Sequence, residues 1–151
     1  MKNSSELIEF IAQVNDTILC DNSKIIIQTI IDNYNDYQLS LDFMVDKIGL
    51  HKTQVYEYCK NRLMIKPSNL ICFVRMYYCL KLICNTEHCA VEIGILCGYK
   101  NQKTFRTNVH RSFNMGPNQL LETLRTSSDK LNQFNNLRDN LAKSMFFSIN
   151  N

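Results

Sequence analysis

Residues 91–111 read VEIGILCGYKNQKTFRTNVHR: an apolar half that stops at Gly98-Tyr99, then a basic, amide-rich half. Glycine directly after the last apolar residue supplies a left-handed helix stop. The chain then reopens with Asn101, Gln102, Lys103 and Thr104, polar side chains at the start of a helix whose inward residues are Phe105 and Val109. A looser copy, MVDKIGLHKTQVYEYCK, occupies residues 44–60. There Val55 follows Gly49 by six residues and Cys59 follows four later, against seven and four for Phe105 and Val109 after Gly98. A short apolar helix, a glycine turn and an amphipathic helix with a polar start form the layout of a helix-turn-helix.

Working outward, helical periodicity continues and strand-like alternation is absent, so the expected fold is all-α. Leu7, Ile8, Ile11, Val14 and Ile18 predict a first helix ending near Cys20-Asp21-Asn22, and Ser23 is the expected cap of a second, Lys24 to about Tyr34. Ser40 caps Leu41–Ile48, and His51–Leu63 reads as the helix after the first turn, with Val55 and Cys59 inward. Pro67 suits the first turn of a long helix reaching about Cys84, some 27 Å at 1.5 Å per residue. Helices are expected over Cys89–Leu96, Asn101–Phe113, Gly116-Pro117 to Leu124, and Asp129 to about Phe147, the last with Leu131, Phe134, Leu141 and Met145 inward. The expected division is an N-terminal extension 1–23, a first helix-turn-helix subdomain 24–66, a linker helix 67–85, a second subdomain 86–125 and a C-terminal extension 126–151. The two apolar end stripes, 7–18 and 131–145, need burial against the body, each other, a second copy or a protein partner.

The net charge of +3 over 151 residues conceals an asymmetry. Residues 1–50 carry three Lys/Arg against eight Asp/Glu, residues 51–111 ten against three, and residues 112–151 four against three. A basic block in a nearly balanced chain fits a polyanion-binding face, although a solvated lysine-rich face reads similarly. The seven cysteines form no C-x-x-C pair, and the three histidines form no H-x-x-x-H pair. Most of those cysteines sit among apolar residues and read as small buried hydrophobes in a reducing compartment. No glycine-rich phosphate loop or G-x-S-x-G occurs, and no cofactor, metal or enzymatic activity is expected. No apolar run approaches the ~18–20 residues needed to span a bilayer, and the acidic start MKNSSELIEF lacks a secretory layout. A soluble cytoplasmic chain without a membrane partner is the expectation.

The stretch from Leu82 to Tyr99 resembles the second helix-turn-helix of the AraC/XylS family of bacterial transcription regulators. Asn101 to Phe113, followed by Asn114-Met115-Gly116-Pro117, resembles that family's recognition helix and closing Gly-x-x-Pro element. Ser40 to Leu50 and Met64-Ile65-Lys66-Pro67-Ser68 fit its first unit and linker, and the match covers about residues 24–125. Departures are Met64 and Asn114 where glycine is usual, Cys59 and Val109 where a large aromatic is usual, and Gly94 where alanine is usual. Residues 1–23 are too few for the separate ligand-binding or dimerisation domain common in the family, so the resemblance is to its stand-alone members.

The resemblance implies base contacts from Thr53, Tyr56 and Glu57 in the first unit and from Gln102, Lys103, Arg106 and Thr107 in the second. Gln suits adenine, Arg and Lys suit guanine, a Thr methyl suits thymine, and an acid such as Glu57 can accept from a cytosine amino group. Glu57 reads equally as a solvated residue that weakens its unit against phosphates. Lys52, Lys60, Arg62, Lys100, His110 and Arg111 suit phosphate contacts, or plain surface charge. Tyr77, Tyr78 and Tyr99 read as core rather than as stacking platforms. The expected function is a sequence-specific regulator, an activator touching double-stranded DNA and RNA polymerase. The alternative is an interaction module that binds a protein or itself through its apolar ends, with its DNA face weakened.

Overall fold

The computed structural model describes residues 4–146. These residues form nine α-helices: α1 (Ser5–Val14), α2 (Asp21–Asn33), α3 (Leu41–Ile48), α4 (Lys52–Glu57), α5 (Pro67–Asn85), α6 (Ala90–Leu96), α7 (Gln102–Phe113), α8 (Pro117–Arg125) and α9 (Lys130–Met145). No strand occurs among the described residues, and none of their helices is long and apolar enough to cross a membrane. The expected end of the last helix at Phe147 lies outside the described residues, as do positions 1–3 and 148–151 of the two extensions.

The spine is α5, 19 residues long and about 28 Å at 1.5 Å per residue. Leu70, Phe73, Val74, Met76, Cys79 and Leu80 are fully buried on several of its sides, because helices pack around it rather than against one face. Pro67 opens it, and Ser40 accepts the Phe43 amide at the start of α3, both as the sequence predicts.

Both ends of the chain fold back onto this spine. From α1, Leu7 and Ile11 are fully buried and the Phe10 ring lies parallel to Phe73 at 6.2 Å. From the other end, α9 buries Phe134, Leu137, Leu141 and Met145, and Phe146 meets Phe73 edge-on at 5.0 Å. Each such apolar side chain contributes about 1.5–3 kcal/mol of burial, so the end helices are part of the core. Lys81 pairs with Glu6 at 3.3 Å, and its ammonium lies 4.8 Å from the Phe134 ring centre, so one side chain of α5 touches both ends.

Four sequence expectations need correction. The first helix stops at Val14, its end marked by Asp16 in the left-handed region at φ 47°, and Ile18 lies in the following loop almost fully exposed. The second helix starts at Asp21 with Cys20 as the capping position; Ser23 is inside it and buried, its hydroxyl 3.2 Å from the Cys20 sulfur. Leu131 is exposed, and Leu137 takes its place on the inner face of α9. The helix expected over His51–Leu63 is α-helical only to Glu57 and continues as a π-helix from Tyr58 to Leu63.

That widening follows from the spacing of the inward side chains. Val55, Cys59 and Leu63 are all fully buried and stand four residues apart. At 3.6 residues per turn each such step rotates by about 40°, so a regular helix would carry Leu63 off the core; a wider turn takes up the drift. Met64 then ends the segment at φ 57°.

Candidate nucleic-acid interface

In the second unit, α6 stops at Cys97 and Gly98 turns the chain at φ 89°. Asn101 starts the next helix by accepting the amides of Lys103 (2.8 Å) and Thr104 (3.4 Å), which satisfies donors that a helix start leaves unpaired. Phe105, Val109, Ser112 and Phe113 of α7 face the core. At about 100° per residue, Lys103, Arg106, Thr107 and His110 fall within an arc of about 100° on the outer side, and all four are exposed. Lys103 and Arg106 have side chains without a hydrogen bond or ion pair among the described residues, which leaves both cations available. The Thr107 hydroxyl donates to the Lys103 carbonyl at 2.9 Å.

The remaining candidates of this unit are partly engaged. Gln102 is half-buried and donates to the Val91 carbonyl at 3.3 Å, bracing α7 against α6. The Lys100 ammonium lies 5.1 Å from the Tyr37 ring centre. Arg111 is exposed like His110 beside it, but its guanidinium lies 3.3 Å from the Cys72 sulfur and 3.8 Å from that of Met145.

In the first unit, Thr53, Tyr56 and Glu57 of α4 are likewise exposed and span an arc of about 100° opposite the buried Val55. Gln54 reaches back to the His51 amide at 3.0 Å, half of a capping box. Lys52 is paired with Asp42 of α3 at 3.1 Å, while Lys60 and Arg62 are exposed on the π-helical segment. Tyr58, half-buried, accepts from Asn22 at 2.8 Å and ties this segment to α2.

Two grooves relate the units. One, of about 540 Å³, is walled by Tyr56 of α4 and by Lys66, Ser68, Ile71 and Arg75. The other, of about 270 Å³, is walled by Lys100, Asn101 and Thr104 at the start of α7 and again by Ser68, Ile71 and Arg75. Those last three residues form one edge of α5, so both second helices flank the same side of the spine.

The aromatic and thiol residues divide as their surroundings dictate. Tyr77 and Tyr99 are buried and Tyr78 half-buried, stacked on Tyr34 at 4.4 Å. Burial drives the Tyr99 hydroxyl pKa far up and pushes the Cys59 thiol to about 12. Cys59, Cys72, Cys79 and Cys97 are buried, Cys84 is half-buried, and Cys20 and Cys89 are exposed, so most of the set, four of seven, sits in the core as the sequence suggests.

Two structural arginines were not singled out by the sequence. Arg75 donates to the Tyr34 and Asp36 carbonyls at 3.1 and 2.8 Å. Arg125 donates to the Ile83, Thr86 and His88 carbonyls at 3.1, 3.0 and 2.8 Å, closing the C-terminal end of α5. Arg75 stands alone in the apolar run of residues 71–80, ICFVRMYYCL, whereas Arg125 ends a largely polar helix and carries no such signal.

No family model matches the sequence, and no curated protein matches it. Solved structures that share the fold include two C-terminal domains of response regulators. The C-terminal domain of AraT, a response regulator from Geobacillus stearothermophilus, aligns with TM-score 0.69 and 23% identity over 74% of this chain and 93% of that one. The C-terminal domain of the two-component response regulator yesN from Fusobacterium nucleatum aligns with TM-score 0.61 and 26% identity over 68% of this chain and the whole of that one. With two glycine-turned helix pairs hung from one linker helix and this likeness to response-regulator C-terminal domains, the chain has the all-α fold of an AraC-type helix-turn-helix domain.

Proposed function

We propose that this chain is a double-stranded-DNA-binding transcription regulator that places α4 and α7 in successive major grooves. The observation that carries the reading is the shared edge of α5: Tyr56 of one helix and Thr104 of the other open onto the same Ser68, Ile71 and Arg75. Helices flanking one side of a rod about 28 Å long suit a duplex whose groove repeats every ~34 Å. In this reading residues 24–66 and 86–125 form the two subdomains, and the end helices buttress them. Lys103 and Arg106 read bases, with Thr107, Gln102, Thr53, Tyr56 and Glu57 as further contacts. Lys60, Arg62, Lys100 and His110 hold phosphates more directly than Lys52 or Arg111, which have intramolecular partners.

The finer proposal is an activator that also touches RNA polymerase; a promoter-reporter assay reads the sign of regulation directly. Selection from a random duplex pool, followed by gel-shift titration, tests the core of the reading. Arg106→Ala is expected to cost about 1–3 kcal/mol and to relax one base preference. If about six phosphates are neutralised, log K falls against log salt with a slope of about −5. Failure to enrich any duplex overturns the proposal.

The interaction-module alternative loses its surface. The apolar stripes of α1 and α9 are buried in the chain's own core, leaving Ile18 and Leu131 as the large exposed apolar side chains within 7–18 and 131–145.

A further inference from the structure

We propose that Arg75 is a positioning residue that fixes the spacing between the two DNA half-sites, a role that rests on the DNA-binding reading above. Its side chain leaves the middle of α5 and crosses to the first unit, where Nε and Nη2 donate to the Tyr34 and Asp36 carbonyls at 3.1 and 2.8 Å. Those carbonyls lie at and just beyond the C-terminal end of α2, where unpaired acceptors and the helix dipole both favour a cation. The same guanidinium lies 5.3 Å from the centre of the Tyr99 ring, in the turn of the second unit. Tyr99 in turn accepts from Asn108 of α7 at 3.1 Å, and its ring lies 5.4 Å from that of Phe105. An unbroken line of contacts therefore runs from the first unit through one arginine to the helix that carries Arg106. The fit is close enough that a Cβ on Gly98 would stand 2.2 Å from the Tyr34 carbonyl oxygen and 3.1 Å from Arg75 Nε.

The mechanical consequence follows from where the attachments fall. The first unit joins α5 at its N-terminal end through the buried Leu63, Ile65 and Pro67. A body held at one end of a rod can pivot. Arg75, about 12 Å further along at eight residues of 1.5 Å each, joins the Tyr34–Tyr78 stack in a second attachment that restricts that freedom. Each base pair inserted between half-sites moves the second groove by about 3.4 Å and about 34°. A locked protein cannot follow that screw motion; one released at Arg75 can follow it in part.

The test uses duplexes selected by the wild-type chain, remade with one extra base pair between the half-sites. Affinities are measured for wild type, Arg75→Met, which keeps length and apolar stem, and Arg75→Lys, which keeps charge but not the two-pronged donor. Wild type is expected to lose about tenfold or more on insertion, and R75M about threefold or less, with R75K between. The ratio of the two affinities is the readout, because simple destabilisation lowers both duplexes together. Circular dichroism identifies which variants are folded, and R75K decides the matter if R75M is not. Equal insertion penalties in wild type and a folded variant overturn the role of Arg75, whereas absence of any selected duplex strikes the DNA-binding reading itself.

Discussion

In the first unit the turn glycine, Gly49, has open space where a side chain would stand, and the helix after it runs six residues before widening. In the second unit the corresponding Gly98 is pressed against the Tyr34 carbonyl, and the helix after it runs twelve regular residues between an Asn101 cap and Asn114. The outer faces differ in the same direction. Between Lys52 and Leu63 an acid, Glu57, stands among the cations, and Lys52 is already paired; between Gln102 and Phe113 no acid occurs. Two copies of one sequence layout thus differ: the second unit's turn is pressed against the first unit and its outer face is openly cationic, while the first unit's turn is open and its outer face electrostatically mixed. Affinity is accordingly expected to come mainly from the second.

The sharpest way to break this contrast is to add one methyl group at each turn. Gly98→Ala must resolve a backbone collision as well as a left-handed φ, and is expected to cost about 3 kcal/mol or more in a urea titration. Gly49→Ala meets only the φ penalty, about 1–2 kcal/mol. Equal losses would mean that the second turn is no more tightly docked than the first. The helix ends supply a smaller test. Met64 and Asn114 both sit in the left-handed region, at φ 57° and 58°, where the family resemblance expects glycine. Met64→Gly is expected to raise stability by roughly 0.5–1 kcal/mol, and Asn114→Gly to change it by a few tenths, because asparagine tolerates that region. Thermal melts of the two variants read the difference.

Thiol accessibility gives the smallest effect. Native-state labelling is expected to reach Cys20, next to the first unit, and Cys89, at the start of α6, before Cys59, Cys72, Cys79 and Cys97. The Ser23 hydroxyl beside Cys20 holds that thiol's pKa below its ordinary value, so its reaction persists to lower pH. Burial raises the Cys59 pKa to about 12, so Cys59 is expected to react only once the protein unfolds. Mass spectrometry of the labelled sites checks the order.

Much of the architecture was legible in residues that act locally. Gly49 and Gly98 as stops, Ser40 as a cap and Pro67 at the first turn of the spine all operate within a few residues of themselves. Apart from the cap placed at Ser23 instead of Cys20, the errors arose where the decision was not local. Ile18 continues a helical spacing on paper, but the chain turns away after Val14, and no neighbour covers it. Gly94, unexplained by sequence, is matched to Phe105, whose ring would stand 2.8 Å from an added Cβ.

The sequence by itself determined the all-α class, the two glycine-turned units and the outward positions of α4 and α7, because caps, stops and helical periodicity depend on residues a few positions apart. Only the tertiary structure decided that the terminal stripes close the chain's own core. It also decided that the helix after the first turn widens, that the exposed Arg111 reaches the sulfurs of Cys72 and Met145, and that Arg75 bridges α2, α5 and the second turn. Those outcomes hinge on partners 34 to 41 residues away, or on how three buried side chains meet a common core, and no local pattern encodes either.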